Sequence, residues 1–255
     1  MKNRNLKRDS SGQVIVITAL MVALVLLSTV IFVIETEKDV PSVGTYTNNV
    51  FSAYQQAVRS TLISALANVT NGGDPSVLAT DLNELESAIT CHSYQSILQI
   101  NFTPLNEASY QNGIWISWGT DGCGISSAYV NLDINSTGTS STSNLECTVN
   151  VTSEVDLSGT CQQINDNLTQ VNLSVNVLNE GAPALAQNFI VYFENATEGW
   201  VKVGSPSISD FGNGTYSVSF TTETNQSNNP LLVSMLCQDQ RSITVGANAT
   251  CTNVG

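Results

Sequence analysis

The run Val14–Ile34, VIVITALMVALVLLSTVIFVI, constrains this chain most: 21 consecutive residues carry no charge. At about 1.5 Å of rise per residue, such a helix covers roughly 30 Å, the thickness of a bilayer's hydrocarbon core. A soluble core helix of that length shows a polar stripe. Here only Thr18, Ser28 and Thr29 are polar, and a hydroxyl can bond back to its own helix backbone. The run is therefore read as a transmembrane helix within residues 13–36. Lys2, Arg4, Lys7 and Arg8 precede it, and Glu35, Glu37 and Asp39 follow. The positive-inside rule then makes residues 1–12 a basic cytoplasmic leader and places 35–255 outside a cell membrane crossed once. The apolar region exceeds the roughly 7–15 residues of a secretory signal. Ile34-Glu35-Thr36-Glu37 is no small-x-small cleavage site, so the segment reads as a retained anchor.

Charge narrows the partners. The net charge is −13, and four of the eight basic residues lie in the first eight positions. From Glu35 onward there are 4 basic and 20 acidic residues, net −16. Nucleic acid is disfavoured, because a phosphate backbone requires a basic surface. Such acidity suits a soluble exterior, a salty habitat or cation binding.

Six cysteines, Cys91, Cys123, Cys147, Cys161, Cys237 and Cys251, lie beyond the apolar run. An even number in an external compartment reads as disulfides, and no C-x-x-C spacing points to zinc or redox work. Short loops close most easily, which favours the sequential pairs Cys91–Cys123, Cys147–Cys161 and Cys237–Cys251. Asn-x-Ser/Thr triplets begin at Asn68, Asn101, Asn135, Asn150, Asn167, Asn172, Asn195, Asn213, Asn225 and Asn248. Their density favours a glycosylated exterior.

Periodicity organises the rest. Val50, Tyr54, Val58, Leu62, Ala65 and Val69 step at helical spacing up to a stop at Asn71-Gly72-Gly73. Asp74-Pro75 opens a second helix with Leu78, Leu82, Leu85 and Ile89 on one stripe. After Cys91 the texture is that of strands: 97–102, 114–118, 128–134 and 145–157. Two helices followed by about four antiparallel strands make an α+β domain over 37–162. From 163 to 255 about seven short strands with turn signals predict an all-β sandwich.

Two resemblances add to this reading. Ser11-Gly12-Gln13, after basic residues and directly before the apolar run, resembles the class III leader of archaeal type IV pilin-like proteins and the anchors of tight-adherence pseudopilins. It implies processing between Gly12 and Gln13, a pilin-like helix-plus-sheet domain, archaeal secretion, and assembly with like or other pilin-like subunits. Ile17 stands at the fifth mature position, where those pilins carry Glu, so filament subunit and solitary membrane protein both stay open. Asp210, Gly212, Gly214 and Tyr216 resemble the tyrosine corner of immunoglobulin-like surface modules. There the hydroxyl ties its strand to a preceding loop.

No catalytic signature emerges. His92 is the only histidine, and no Gly-x-Ser-x-Gly elbow accompanies it. Asp210-Phe211-Gly212 lacks every other kinase element. Thr120-Asp121-Gly122-Cys123-Gly124 lacks the Gly-Lys-Ser/Thr of a phosphate loop. Asp81, Glu84 and Glu86 read as a solvated helix face. No cofactor is expected. Calcium is the ion the acidic exterior could take, near Asp210 or Asp133. Trp115, Trp118 and Trp200 could line a face for a glycan or protein, or fill the core. The sequence thus predicts a non-enzymatic structural or adhesive cell-surface protein, in one version a minor pilin-like subunit and in the other a monomeric binding module for a surface glycan or protein.

Overall fold

The computed structural model describes residues 43–92, 97–119, 121–137, 142–165, 168–223 and 230–253. The chain divides into two compact units, Met1–Ala53 and Tyr54–Gly255. Of the first, only helix backbone from Val43 is described. The apolar run Val14–Ile34 and the processing residues Gly12 and Gln13 lie outside the described residues. So do Asn167 and Asn225. Among the described residues, no helix is long and apolar enough to cross a membrane.

Helix α1 (Val43–Thr70) buries Val58, Leu62, Ala65 and Leu66 on one stripe. It stops where Gly72 takes φ +94° and the Gly73 N–H donates to Asn68 O at 2.9 Å, a left-handed ending that glycine adopts freely. Helix α2 (Val77–His92) buries Leu78, Leu82 and Ile89. Ahead of it Asp74 Oδ1 accepts the Ser76 N–H at 2.8 Å, satisfying one orphan donor of the helix start. The same bond holds the Asp74 carboxyl below its usual range.

Twelve strands follow among the described residues: β1 (Ile97–Pro104), β2 (Ile114–Trp118), β3 (Cys123–Thr137), β4 (Thr142–Asn165), β5 (Leu168–Asn179), β6 (Ala182–Pro183), β7 (Ala186–Asn195), β8 (Gly199–Lys202), β9 (Ser207–Asp210), β10 (Thr215–Glu223), β11 (Leu232–Asp239) and β12 (Thr244–Asn253). The expected α+β fold, with a pilin-like domain set apart from a C-terminal sandwich, is overturned by this predominance of strand. The physical reason lies in β4. Its 24 residues run through 163, where a second domain was expected to begin. The alternation of apolar residues looked finished at Leu157 because the next inward position holds Gly159.

β4 is the spine. It pairs with β3 along its first half and with β5 along its second, both antiparallel. β5 continues to β10 and β9, while β1 and β2 flank β3. β12, β11, β7 and β8 form a second antiparallel set. The two sets join where Cys251–Asn253 of β12 run parallel to Gly159–Cys161 of β4.

Odd-numbered β4 side chains from Val149 to Cys161 are buried on one face. Along the first half of β4, Ala128, Val130 and Leu132 of β3 share that burial, and the helices supply matching apolar stripes. Along the second half lies a sandwich core. Val155, Leu157, Val171, Leu173, Val175 and Val218 oppose Val191, Val233, Met235, Val245 and Ala247. Phe193 and Phe220 meet across it with ring centroids 6.3 Å apart.

An ion cluster fastens the layers. Asp239 is fully buried; its Oδ1 accepts the N–H groups of Arg241 at 2.8 Å and Ile243 at 3.0 Å, and its Oδ2 accepts Arg241 Nε at 2.7 Å. Arg241 also donates to Glu180 Oε1 at 2.7 Å and to Thr152 O at 2.9 Å. Glu180 Oε2 pairs with Arg59 of α1 at 2.9 Å. Burial pushes the Glu180 carboxyl up, but the Arg241 and Thr152 hydrogen bonds and both guanidinium charges outweigh it and leave its pKa lowered. The hairpin offering Glu180 turns on two left-handed residues, Glu180 (φ 48°) and Gly181 (φ 77°), as a two-residue loop with the twist of its strands requires.

Candidate functional site

A groove of about 650 Å³ opens where the end of α1, the end of β2 and strands β7, β11 and β12 meet. Its lining comprises Thr70, Asn71, Trp118, Asn188, Phe189, Ile190, Leu236, Cys237, Gln238 and Thr244. That volume is in the range of sites for small ligands, roughly 300–1,000 Å³.

The polar half of the lining is a chain of neutral groups. Asn188 Nδ2 donates to Gln238 Oε1 at 2.8 Å. Gln238 Nε2 donates to Asn71 Oδ1 at 2.8 Å and to Thr244 Oγ1 at 3.2 Å. Thr244 Oγ1 donates to Asn71 Oδ1 at 2.9 Å, and Asn71 Nδ2 donates to Ser242 O at 3.0 Å. Asn188 sits at φ 55°, a left-handed conformation that asparagine tolerates better than most residues. Asn71 also donates to Ala67 O at 2.7 Å and so spends both N–H groups and both lone pairs inside this chain, whereas Gln238 keeps one lone pair and Asn188 keeps one N–H and its Oδ1 for a ligand.

The aromatic half is equally fixed. Trp118 Nε1 donates to Ser126 Oγ at 3.2 Å, and Ser126 Oγ donates to Thr244 O at 2.8 Å. Phe189 packs on Tyr216 at 4.8 Å between centroids. Tyr216 is itself buried; its hydroxyl accepts the Ala186 N–H at 2.7 Å and donates to Ala186 O at 3.4 Å. Burial pushes the phenol's pKa up, and the nearby Asp210 charge adds to this. The residues Asp210, Gly212, Gly214 and Tyr216 make this tie together. Asp210 Oδ1 accepts the Gly212 N–H at 2.7 Å, and Gly212 (φ 75°) and Gly214 (φ 80°) turn the chain. A Cβ on Gly214 would come within 2.9 Å of Ala184 N and Val177 O.

Cys237 is the one titratable group in the lining. Burial, with the Asp239 charge, pushes its thiol up to about 12, so it is neither a thiolate nor a nucleophile at neutral pH. The groove offers amides, hydroxyls and aromatic faces, which is chemistry for holding a neutral ligand.

Of the three tryptophans, only Trp118 reaches the groove. Trp115 leaves β2 on the opposite side, 5.7 Å from Tyr110, and Trp200 lies on β8 with 48% of its surface exposed. Asp133 is half-buried on β3 and Asp210 is exposed. No cluster of three or more metal-ligating side chains occurs among the described residues. His92 closes α2, and its side chain lies outside the described set. Asp81, Glu84 and Glu86 lie on α2.

The six cysteines are unbonded in this structure, and two of the three sequential pairs, Cys147–Cys161 and Cys237–Cys251, fail on geometry. Cys147 and Cys161 share β4, so about 45 Å of extended strand separates them. Cys237 registers with Val245, six residues short of Cys251, or about 20 Å along the ladder. A disulfide needs Cα atoms within about 7 Å. Cys91 lies in the last turn of α2, while the exposed Cys123 opens β3 and donates to Asp156 Oδ1 at 3.2 Å.

Among the sequons, Asn68, Asn101, Asn135, Asn150, Asn172 and Asn213 are exposed. Asn195 and Asn248 are half-buried. Asn150 is engaged, its Oδ1 accepting Ser127 Oγ and Thr152 Oγ1, each at 3.1 Å.

Sequence reasoning missed Asn71, Asn188, Phe189, Gln238 and Thr244 as site residues. They come from separate elements, and Asn71 reads in sequence only as a helix stop. No protein-family model matches this chain, and no curated protein matches it.

Proposed function

We propose that the protein is a non-enzymatic adhesive protein of the cell surface that binds a neutral glycan in the groove between Trp118 and Phe189. The observation that carries this reading is a preorganised, uncharged lining that pairs aromatic faces with fixed amides. Sugar C–H faces pack on aromatic rings while sugar hydroxyls exchange hydrogen bonds with amides. The strongly acidic exterior, net −16 beyond residue 34, disfavours acidic partners and leaves neutral ones. Cell-surface placement rests on the uncharged run, its flanking charges and the sequons, which point to a membrane-attached chain with 35–255 outside.

The test is binding of the full chain to an array of neutral and acidic oligosaccharides, followed by titration of any hit through tryptophan fluorescence. Gln238→Ala and Asn188→Ala are expected to weaken binding about tenfold or more, the effect of losing one or two ligand hydrogen bonds. Absence of neutral glycan binding, or binding indifferent to both substitutions, overturns the reading.

A further inference from the structure

Three features bring Cys161 and Cys251 together. β12 docks parallel on β4 with Cys251 beside Gly159 and Asn253 beside Cys161. Gly159 and Cys161 are two residues apart in a strand, so they share a face, and both cysteines are buried at 7% and 2% exposure. Gly159 clears the space between them: a Cβ there would stand 2.7 Å from Cys251 Sγ. Each thiol shifts the other's titration, as side chains facing each other across one buried face do. The third buried cysteine, Cys237, lines the groove and registers with Val245, about 20 Å along the ladder from Cys251.

We propose that Cys161 and Cys251 form a disulfide that bonds β12 to β4 across their short parallel pairing. Their mutual influence lowers the Cys161 pKa and raises that of Cys251. With an organic disulfide such as oxidised glutathione as the oxidant, Cys161 loses its proton, attacks one glutathione sulfur and releases one glutathione thiolate. Cys251 then loses its proton, attacks the Cys161 sulfur of the mixed disulfide and releases the second. Two protein thiols are oxidised, one glutathione disulfide is reduced to two thiols, and the two protons end on the released glutathiones. Of the four other cysteines, Cys237 lies six register positions from Cys251, and Cys123 is exposed and bonds Asp156.

The experiment is a peptide map of the full chain. The protein is refolded from denaturant in a mixture of reduced and oxidised glutathione. The soluble fraction is acid-quenched, labelled with N-ethylmaleimide in denaturant, digested with pepsin without reduction and read by mass spectrometry. The expected result is a cross-linked peptide pair containing Cys161 and Cys251, lighter than the two separate peptides by two hydrogens, while Cys237 carries the label. Cys237→Ser is expected to keep the cross-link, and Cys161→Ser to return the label to Cys251. Finding Cys161 and Cys251 both labelled in the wild-type chain, or either linked to a different cysteine, overturns the proposal. The wild-type map decides the matter even if a variant fails to fold.

Discussion

At the scale of single residues, the groove depends on atoms that never touch a ligand. Tyr216 holds Phe189 in place only while its hydroxyl stays on Ala186. Tyr216→Phe keeps the ring and loses that tie. Its expected cost is about 1 kcal/mol, the net worth of one buried hydrogen bond, read as a lower urea midpoint with an unchanged m-value. Gly214→Ala asks more. The residue sits at φ 80° with a carbonyl and an N–H where a Cβ would go. The left-handed penalty alone is roughly 1–2 kcal/mol, so thermal unfolding should shift further than for Tyr216→Phe.

At the scale of elements, the Asp239–Arg241–Glu180–Arg59 cluster joins the β11–β12 turn, the β5–β6 hairpin, β4 and α1. Asp239→Ala strips the partner from a guanidinium and two buried N–H groups, and breaking such a buried pair costs roughly 3–5 kcal/mol. Denaturant titration measures it. The pH dependence follows from Glu180. Its folded pKa is lowered, so its stabilising contribution is complete above the ordinary glutamate value near about 4.3 and is lost as pH falls through the folded value. Melting temperatures followed from neutral pH into acid should drop, and Glu180→Gln should flatten part of that drop. A wild-type profile no steeper than the Gln variant's would refute this assignment.

The elements themselves were the legible part of the sequence. The helical stripe through Val58, Leu62 and Ala65 is buried, and the alternation over 168–178 buries Val171, Leu173, Val175 and Val177. Helix and strand periods are local, so a linear reading finds them. What joins the elements was not legible. A glycine at position 159 hid the continuation of β4, and the partner of β12 is set by backbone register some ninety residues away. The groove escaped for the same reason: Asn71, Trp118, Asn188 and Gln238 meet only after four elements have packed.

At the scale of the molecule, the two sheets share a ladder of only three residue pairs between β4 and β12. A covalent link at Cys161–Cys251 would close a loop of 89 residues. Chain-entropy arguments put that at about 4.6 kcal/mol. Chemical denaturation with and without reductant measures the difference, and the gap should vanish in Cys251→Ser.

That last strand also sets a clock. Thr70 and Asn71, near the start of the folded unit, take hydrogen bonds from Thr244 and Gln238, and Gly159–Cys161 of β4 wait for residues 251–253. Synthesis runs from the other end. Until β11 and β12 are made, the tip of α1 and the inner face of β4 and β5 lack these partners. Contacts of such long sequence separation form late and slowly. From the completion of β5 at Asn179 until β12 is made, the nascent chain carries a sticky, half-covered sheet, a state prone to aggregation. A cell making this protein must shield that face until β12 is made.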